Sequence, residues 1–390
     1  MSTRIAQRAL CLDDFEEMSR RHLPRPIFGY IAGATERNAS LADAARAYSE
    51  LHFLPRVLRD VSPRTFRRTI FGRDWAAPFG IAPMGMAALV AYRGDLALAQ
   101  AAREAEVPFI LSGSSLIRME EVIAANPDAW FQAYLPGDST RVEALVDRVA
   151  AAGFGTLLLT VDTAVLPSRE NNVRNGFSTP LRPSLRLFMD GAMHPKWSIG
   201  SFLRTWAQHG MPHFENSFAE RGAPILARNV LRDFTARDHL NWEHLALIRR
   251  RWPGWLIVKG VMHPDDARRA EQEGADGIIV SNHGGRQLDS TSGPLRILPD
   301  IAAAAGQMAV MIDGGIRRGT DVLKALSLGA HFCFVGRPML HAAAVAGQEG
   351  IAHAIRLMKG EMDRDMALLG VNALEELGPQ YLIRTGGTGA

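Results

Sequence analysis

The sequence predicts an α/β protein folded as a (β/α)8 TIM barrel, with a helical segment before the barrel and a long insertion after its fourth strand. Three observations predict it. Eight short apolar, β-branched runs recur along the 390 residues, as parallel strands buried on both faces require. Segments with helical spacing of apolar residues separate them. Polar side chains gather at the C-terminal ends of the runs, where such a barrel carries its site.

In order, the runs are 78–83 (PFGIAP), 109–113 (FILSG), 130–135 (WFQAYL), 156–162 (TLLLTVD), 255–260 (WLIVKG), 277–283 (GIIVSNH), 309–315 (AVMIDGG) and 332–338 (FCFVGRP). Between and after them, 94–107, 140–153, 264–274, 319–329 and 347–369 have helical character. An open doubly wound sheet is the competing architecture, but no Gly-x-Gly-x-x-Gly turn follows the first strand. The N-terminal stretch MSTRIAQRALCLDDFEEMSRRHL reads as one amphipathic helix without a signal-type apolar core. Residues 1–77 should supply helices capping the bottom or side of the barrel. Residues 164–254 exceed what one helix needs. Only 241–251 (NWEHLALIRRR) reads as the barrel helix there, and long insertions at this face form lids or binding loops.

With 47% hydrophobic residues the chain can bury a large core, and a barrel of this length is expected as one domain, 1–390. A net charge of +3, with no Lys/Arg block, argues against a nucleic-acid partner. Two cysteines far apart, Cys11 and Cys333, suit a reducing, cytoplasmic compartment better than a disulfide framework. No apolar run is long enough to span a bilayer. No metal site is expected, since His283 has no second His or Cys at ligand spacing. His341 and His353 read as packing or surface residues of the last helices. The lack of a Gly-x-Ser-x-Gly elbow argues against Ser–His–Asp hydrolysis.

The most informative stretch is 281–289, SNHGGRQLD. It places a base, His283, and a fixed cation, Arg286, at the end of a buried strand, with two glycines that let a ligand approach the backbone. A base and a carboxylate clamp are what oxidation of a 2-hydroxy acid needs. A packed core histidine would explain His283 alone, but other strand ends carry matching polarity: Ser112, Gln132, Tyr134, Thr160, Asp162, Lys259, Ser281, Asp313 and Arg337. Lys259 at a barrel mouth must face a partner or bear a desolvation cost. Strands seven and eight end in DGGIRRG (313–319) and GRP (336–338), each before a helix. Glycine turns, helix N-termini and arginines there suit a phosphate-bearing cofactor.

SNHGGRQLD, DGGIRRGTDV, IVKG and FVGRP together resemble the FMN-dependent 2-hydroxy-acid dehydrogenases and oxidases, over roughly 12–369. The resemblance implies a (β/α)8 barrel holding FMN. It implies His283 as the base, Asp162 (in TVDTA) as the carboxylate stabilising its protonated form, and Arg286 and Arg169 (in PSRENN) as the grip on the substrate carboxylate. Tyr30 and Tyr134 would hydrogen-bond substrate, and Lys259 would sit by the flavin N1 edge. Ala82 and Pro83 would face N5. Ser112, Gln132, Thr160 and Ser281 would line the ring, Asp313 would bind the ribityl chain, and Gly315, Arg317, Gly336 and Arg337 the phosphate.

Three positions depart from the glycolate-oxidising pattern. Met84 stands for a threonine, while Gly85 for alanine and Ser114 for tryptophan enlarge the substrate pocket. The implied reaction is oxidation of an aromatic, mandelate-like (S)-2-hydroxy acid to the 2-keto acid; oxidation of L-lactate or a broad range of 2-hydroxy acids is the alternative. Quinone or O2 would accept the electrons, and the family's homotetramer is expected. Residues 178–225 mix Leu181, Leu185, Leu187, Phe188, Met189, Trp197, Ile199, Phe202, Leu203 and Trp206 with Arg182, Arg186, Lys196 and Arg204. That mixture suits either a lid or a segment lying in a membrane interface. The resemblance implies the latter, with the protein peripheral on the inner face of the cytoplasmic membrane.

Overall fold

Each of the eight apolar runs forms a strand in the computed structural model, which describes residues 2–136, 138–178, 184–227 and 237–385. The strands are β1 (Phe79–Ile81), β2 (Ile110–Ser112), β3 (Trp130–Ala133), β4 (Thr156–Thr160), β5 (Trp255–Val261), β6 (Gly277–Val280), β7 (Ala309–Asp313) and β8 (Phe332–Val335). They run parallel, each paired with its neighbour from β2 through β8, and β8 pairs with β1. A parallel bridge, Ile81 to Phe109, joins β1 to the entry of β2 and closes the barrel.

Inward-facing Ile110, Trp130, Leu158, Ile257, Ile279, Met311, Phe332 and Phe334 form one interior core, while the outward faces pack on the helices. The interior is filled rather than hollow, as layered side chains in such barrels require. A hairpin, Arg68–Ile70 with Arg73–Trp75, plugs the bottom. Its two-residue turn uses left-handed Phe71 (φ 52°) and Gly72 (φ 73°), the backbone that a tight hairpin demands. The turn inserts Phe71 between Trp130 and Trp255, at ring-centroid distances of 5.4 and 5.2 Å.

A short helix, Ser2–Ala6, and three longer ones precede the barrel: α1 (Leu12–His22), α2 (Arg25–Ala32) and α3 (Ala39–Ser49). A barrel helix then follows each strand, besides shorter helices in the connections: α4 (Gly94–Glu104), α5 (Met119–Ala125), α6 (Ser139–Ala152), α7 (Trp242–Arg251), α8 (Pro264–Gln272), α9 (Pro294–Ala304), α10 (Gly319–Ser327) and α11 (Arg337–Leu369). α6 illustrates why. The Asp138 side chain caps Arg141 N, Val142, Leu145, Val146 and Val149 form the buried stripe, and Gly153 ends the helix at φ 97°. α11 is broken at Ala346–Gly347, where Gly347 has φ 57°.

Two expectations change. The N-terminal stretch is not one helix: Ser2–Ala6 and α1 are separate, because the Asp14 carboxylate accepts from the N–H groups of Leu10 and Cys11 and starts a new helix there. Nor do residues 1–77 cap only the bottom or side. The hairpin does so, but α3 presses on the mouth loops, where a Cβ on Gly285 would lie 2.7 Å from Leu41 N and one on Gly315 2.5 Å from Ala44 O. The insertion contains short helices at Leu185–Met193 and Arg204–His209; Leu181 and Arg182 lie outside the described residues. Trp197 points inward, donating from Nε1 to Leu89 O at 2.8 Å, so it anchors the insertion to the barrel. No helix among the described residues is long and apolar enough to cross a membrane.

Candidate active site

The mouth loop after β6 takes an unusual path. His283, Gly284 and Gly285 all have left-handed backbone, at φ 57°, 63° and 71°. Glycine is required at the second and third positions, since a Cβ on Gly284 would lie 2.7 Å from Arg337 Nη1 and the Leu41 backbone crowds Gly285. His283 carries the strain of the first, and its backbone N–H is held by Ser281 Oγ at 3.0 Å. The turn sets the imidazole 2.9 Å from Asp162 Oδ1 through Nδ1. With Nδ1–H donating to that carboxylate, Nε2 is left as the acceptor.

Burial is the largest influence on His283 and lowers its pKa below the usual 6.5; Asp162 opposes this, and Lys259 and Arg169 add to the lowering. Burial opposes the charge on Asp162, but His283 and Lys259 together keep its carboxyl below the usual range. The pair therefore rests as carboxylate and neutral imidazole near neutral pH. Gly260 makes the approach possible: at a register shift in β5 it adopts φ 105°, and a Cβ there would lie 2.8 Å from Asp162 Cβ.

Arg286 is partly buried and anchored at one end only. Its Nη1 donates to Tyr30 O (2.7 Å) and Gly33 O (2.8 Å), while Nη2 has no hydrogen-bond partner. Burial lowers its pKa to about 10, which leaves it cationic at neutral pH. Arg169 is held beside it by Arg286 O and Gln287 Oε1, both at 3.2 Å. Tyr30 stacks on Phe177 (4.7 Å) and donates to Gly85 O at 3.2 Å. Tyr134 stacks on His283 with centroids 6.5 Å apart. His283, Arg286, Arg169, Tyr30 and Tyr134 line one cavity at the C-terminal ends of the strands, and Asp162 supports His283 from behind.

The same cavity continues over Ala82, Pro83, Thr160, Lys259, Asp313, Gly315, Arg317, Gly336 and Arg337. Lys259 has the partners its position demanded: Nζ lies 2.8 Å from Ser281 Oγ and 2.9 Å from Asp313 Oδ2. Burial acts to lower its pKa, but Asp313 and Asp162 outweigh it and raise the value. Ser112 Oγ donates to Gln132 Oε1 at 3.1 Å, and neither side chain is part of the cavity wall, nor is Ser281.

Polar atoms without hydrogen-bond partners mark where a polar ligand fits: Gln132 Nε2, Asp313 Oδ1 and Arg286 Nη2 are buried and unsatisfied. Gly336 leaves room, since a Cβ there would have no neighbour nearer than 3.8 Å. Arg337 is more engaged than the sequence suggested. Its Nε donates to Ile31 O (3.0 Å) and its Nη2 to Gly33 O (3.1 Å) and Gly284 O (2.7 Å), so it ties α2 to the β6 loop. The donor set fits a flavin nucleotide: amide and carboxylate under a planar ring and polyol, then cations and glycine N–H groups for a phosphate.

The sequence matches the FMN-dependent dehydrogenase family over residues 19–384. The chain belongs to that family. It is 34% identical to (S)-mandelate dehydrogenase of Pseudomonas putida, over 98% of this chain and 96% of that one. It is 38% identical to a putative L-lactate dehydrogenase of Mycobacterium tuberculosis, over 96% of this chain and 89% of that one. Among solved structures, the monotopic membrane protein (S)-mandelate dehydrogenase superposes with a TM-score of 0.88 at 34% identity, covering 97% of this chain and all of that chain. Mandelate oxidase with benzoyl-formic acid superposes at 0.80 and 33% identity, covering 97% and 99%. The protein is therefore an FMN-dependent enzyme that oxidises a 2-hydroxy acid, on the barrel that the strand pattern predicts.

Among the wall residues that sequence reading missed are Gln287, Val165, Phe214 and Arg237. Gln287 lies inside the SNHGGRQLD motif, and its Nε2 donates to Asp162 O at 3.0 Å, so adjacency to His283 was the available signal. Val165, Phe214 and Arg237 belong to the long connection after β4, where no periodicity points to the mouth. His341 is buried on α11, with Nδ1 2.6 Å from Ser19 Oγ, which makes it a packing residue.

Proposed function

We propose that the protein oxidises an aromatic, mandelate-type (S)-2-hydroxy acid to the 2-keto acid, as one FMN-binding barrel domain spanning 1–390 with 178–225 inserted. The observation that carries this is the neutral His283 imidazole, backed by the Asp162 carboxylate and facing the same cavity as the unpartnered Nη2 of Arg286. Arg286 and Arg169 hold the substrate carboxylate and so fix where the α-carbon lies. The Tyr30 and Tyr134 hydroxyls hydrogen-bond the substrate. His283 Nε2 removes a proton, and the Asp162 carboxylate stabilises the imidazolium that forms. FMN, when bound, supplies the two-electron acceptor. Ala82, Pro83, Ser112, Gln132, Thr160 and Ser281 would hold its ring, Lys259 its N1 edge and Asp313 the ribityl chain. Gly315, Arg317, Gly336 and Arg337 would hold its phosphate.

An aromatic substrate is favoured by the small pair Gly85 and Ser114. A Cβ on Gly85 would already lie 3.0 Å from Ser114 Cβ, so the space beside them exists only because both are small. Oxidation of L-lactate or of a broad substrate range is the second reading, supported by lactate dehydrogenases among the relatives at similar identity. The anaerobic visible spectrum tests both. (S)-Mandelate is expected to bleach the oxidised flavin band rapidly, and bleaching by L-lactate alone would overturn the aromatic assignment.

The insertion supports a membrane-surface role. Leu185, Phe188, Met193, Ile199 and Trp206 are each more than half exposed and fall close together in the chain. The protein would then sit peripherally on the inner face of the cytoplasmic membrane as a homotetramer, and quinone rather than O2 would accept the electrons. Flotation with anionic lipid vesicles is the check. The parent should co-float and a Phe188→Ser/Trp206→Ser variant should not; a parent that stays in the dense fraction would leave these residues as a lid.

A further inference from the structure

Both arginines assigned to the substrate carboxylate are held by neutral oxygens. Arg286 Nη1 donates to the carbonyls of Tyr30 and Gly33. Arg169 donates from Nε to Arg286 O and from Nη2 to Gln287 Oε1, both at 3.2 Å. Neither has a carboxylate partner among the described residues. Three of these acceptors are backbone carbonyls. The fourth, on Gln287, is a side chain, and Gln287 lines the same cavity.

The direction of the Gln287 amide is fixed by its two neighbours. Asp162 O, 3.0 Å away, can only accept, and a guanidinium can only donate. The NH2 end must therefore face the carbonyl, and Oε1 the arginine. Gln287 thus ties both ends of the stretch from Asp162 to Arg169, which has no helix or strand and whose Val165 and Leu166 are exposed. On a guanidinium, Nε–H and one Nη2–H form one edge, and Nη1 shares another with the second Nη2–H. Arg286 O and Gln287 Oε1 occupy the first edge of Arg169. Its Nη1 has no hydrogen-bond partner among the described residues, so the second edge is open to a carboxylate.

We propose that Gln287 is a positioning residue for substrate binding: it aims the open edge of Arg169 and, being neutral, leaves the arginine's charge for the substrate. This deepens, and rests on, the reading of the site given above. A neutral amide fixes the fork by direction alone. A carboxylate at this position would bind the same edge with a full negative charge, compensate Arg169 and repel the substrate carboxylate. Gln287 touches neither the proton-transfer groups of His283 nor the side chain of Asp162, so its effect should fall on binding rather than on the chemical step.

Stopped-flow anaerobic flavin reduction tests this in the holoenzyme, with (S)-mandelate, or with L-lactate if that is the acid that reduces the parent. Apparent Kd and limiting rate are read separately. Gln287→Glu should raise Kd about 10- to 100-fold, the size of a charge-assisted hydrogen bond, with the limiting rate within a few-fold of the parent. Gln287→Met should raise Kd about 10-fold. In an Arg169→Met background the same Gln287→Met change should add nothing, because its effect passes through Arg169. A merely structural role in bracing the loop would instead add its full loss there, which would overturn the proposal. So would a Kd within about twofold of the parent in Q287E, a variant of the same size that keeps the comparison where Q287M loses its flavin. A fall in limiting rate with Kd unchanged would overturn it as well. Normal reduction of the parent in those cases would leave the underlying function standing; a parent reduced by neither acid would sink both.

Discussion

Replacing His283 with glutamine is expected to slow anaerobic flavin reduction by on the order of 10³- to 10⁴-fold, while the protein keeps its flavin. Glutamine keeps a polar side chain and the same left-handed backbone problem at φ 57°, but has no group that can take a proton at neutral pH. His283 does not reach the glycine turns assigned to the phosphate, so the visible spectrum should show bound cofactor in both proteins. Turnover within a few-fold of the parent would remove His283 as the base. The pH profile adds a second reading. Because burial depresses the His283 pKa, the base form dominates at neutral pH, and kcat/KM should fall only as pH drops below about 6.5. Asp162 is the influence that raises this pKa. Asp162→Asn should therefore move the acid limb to lower pH and also reduce the plateau rate, since the imidazolium loses its counter-ion. An acid limb that moves upward instead would contradict the pairing.

The second large effect is expected at Lys259. This ammonium is 4% exposed and bound to Asp313 at 2.9 Å, so the two charges stabilise each other without help from water. Lys259→Met would leave the Asp313 carboxylate buried without its cation, at a cost of about 3–5 kcal/mol. The measurement is the thermal midpoint of the protein, with flavin content read alongside: both should drop. Combining Lys259→Met with Asp313→Asn removes the orphaned charge and should recover much of the lost stability. It should not recover the rate of flavin reduction, because a cation at the flavin N1 edge serves negative charge that gathers there. A single variant as stable as the parent would show that Asp313 finds another partner, and the assignment of this pair would fail.

Parts of the fold and site are legible in local sequence, and parts are not. GIIVSNH and WLIVKG announce their strands because a strand buried on both faces has almost no compositional freedom. The polar residue closing each run announces the mouth, because a barrel interior has no place for Lys259 or His283 except at its end. Arg337 looked like a phosphate clamp in GRP, yet its Nε and Nη2 bind carbonyls from α2 and the β6 loop. Those carbonyls are 306 and 53 residues away in the chain, beyond any local signal. Trp197 read as part of an outward apolar face, and only its hydrogen bond to Leu89 O shows it turned inward.

The sequence by itself determined the strand order and the barrel, and it singled out the loops proposed to hold the flavin and the proposed base with its carboxylate clamp. Each of these rests on local chemistry: periodicity, glycine where the backbone must be bare, and charge at the end of an apolar run. Only the tertiary structure decided how Gly260 admits Asp162 to His283, how Arg286 is tethered so that Nη2 stays open, and that Arg237 lies over Tyr134 on the cavity wall. These depend on close approach between segments 50 to more than 250 residues apart, and distances of that kind are set by packing of the whole barrel rather than by neighbours in the chain.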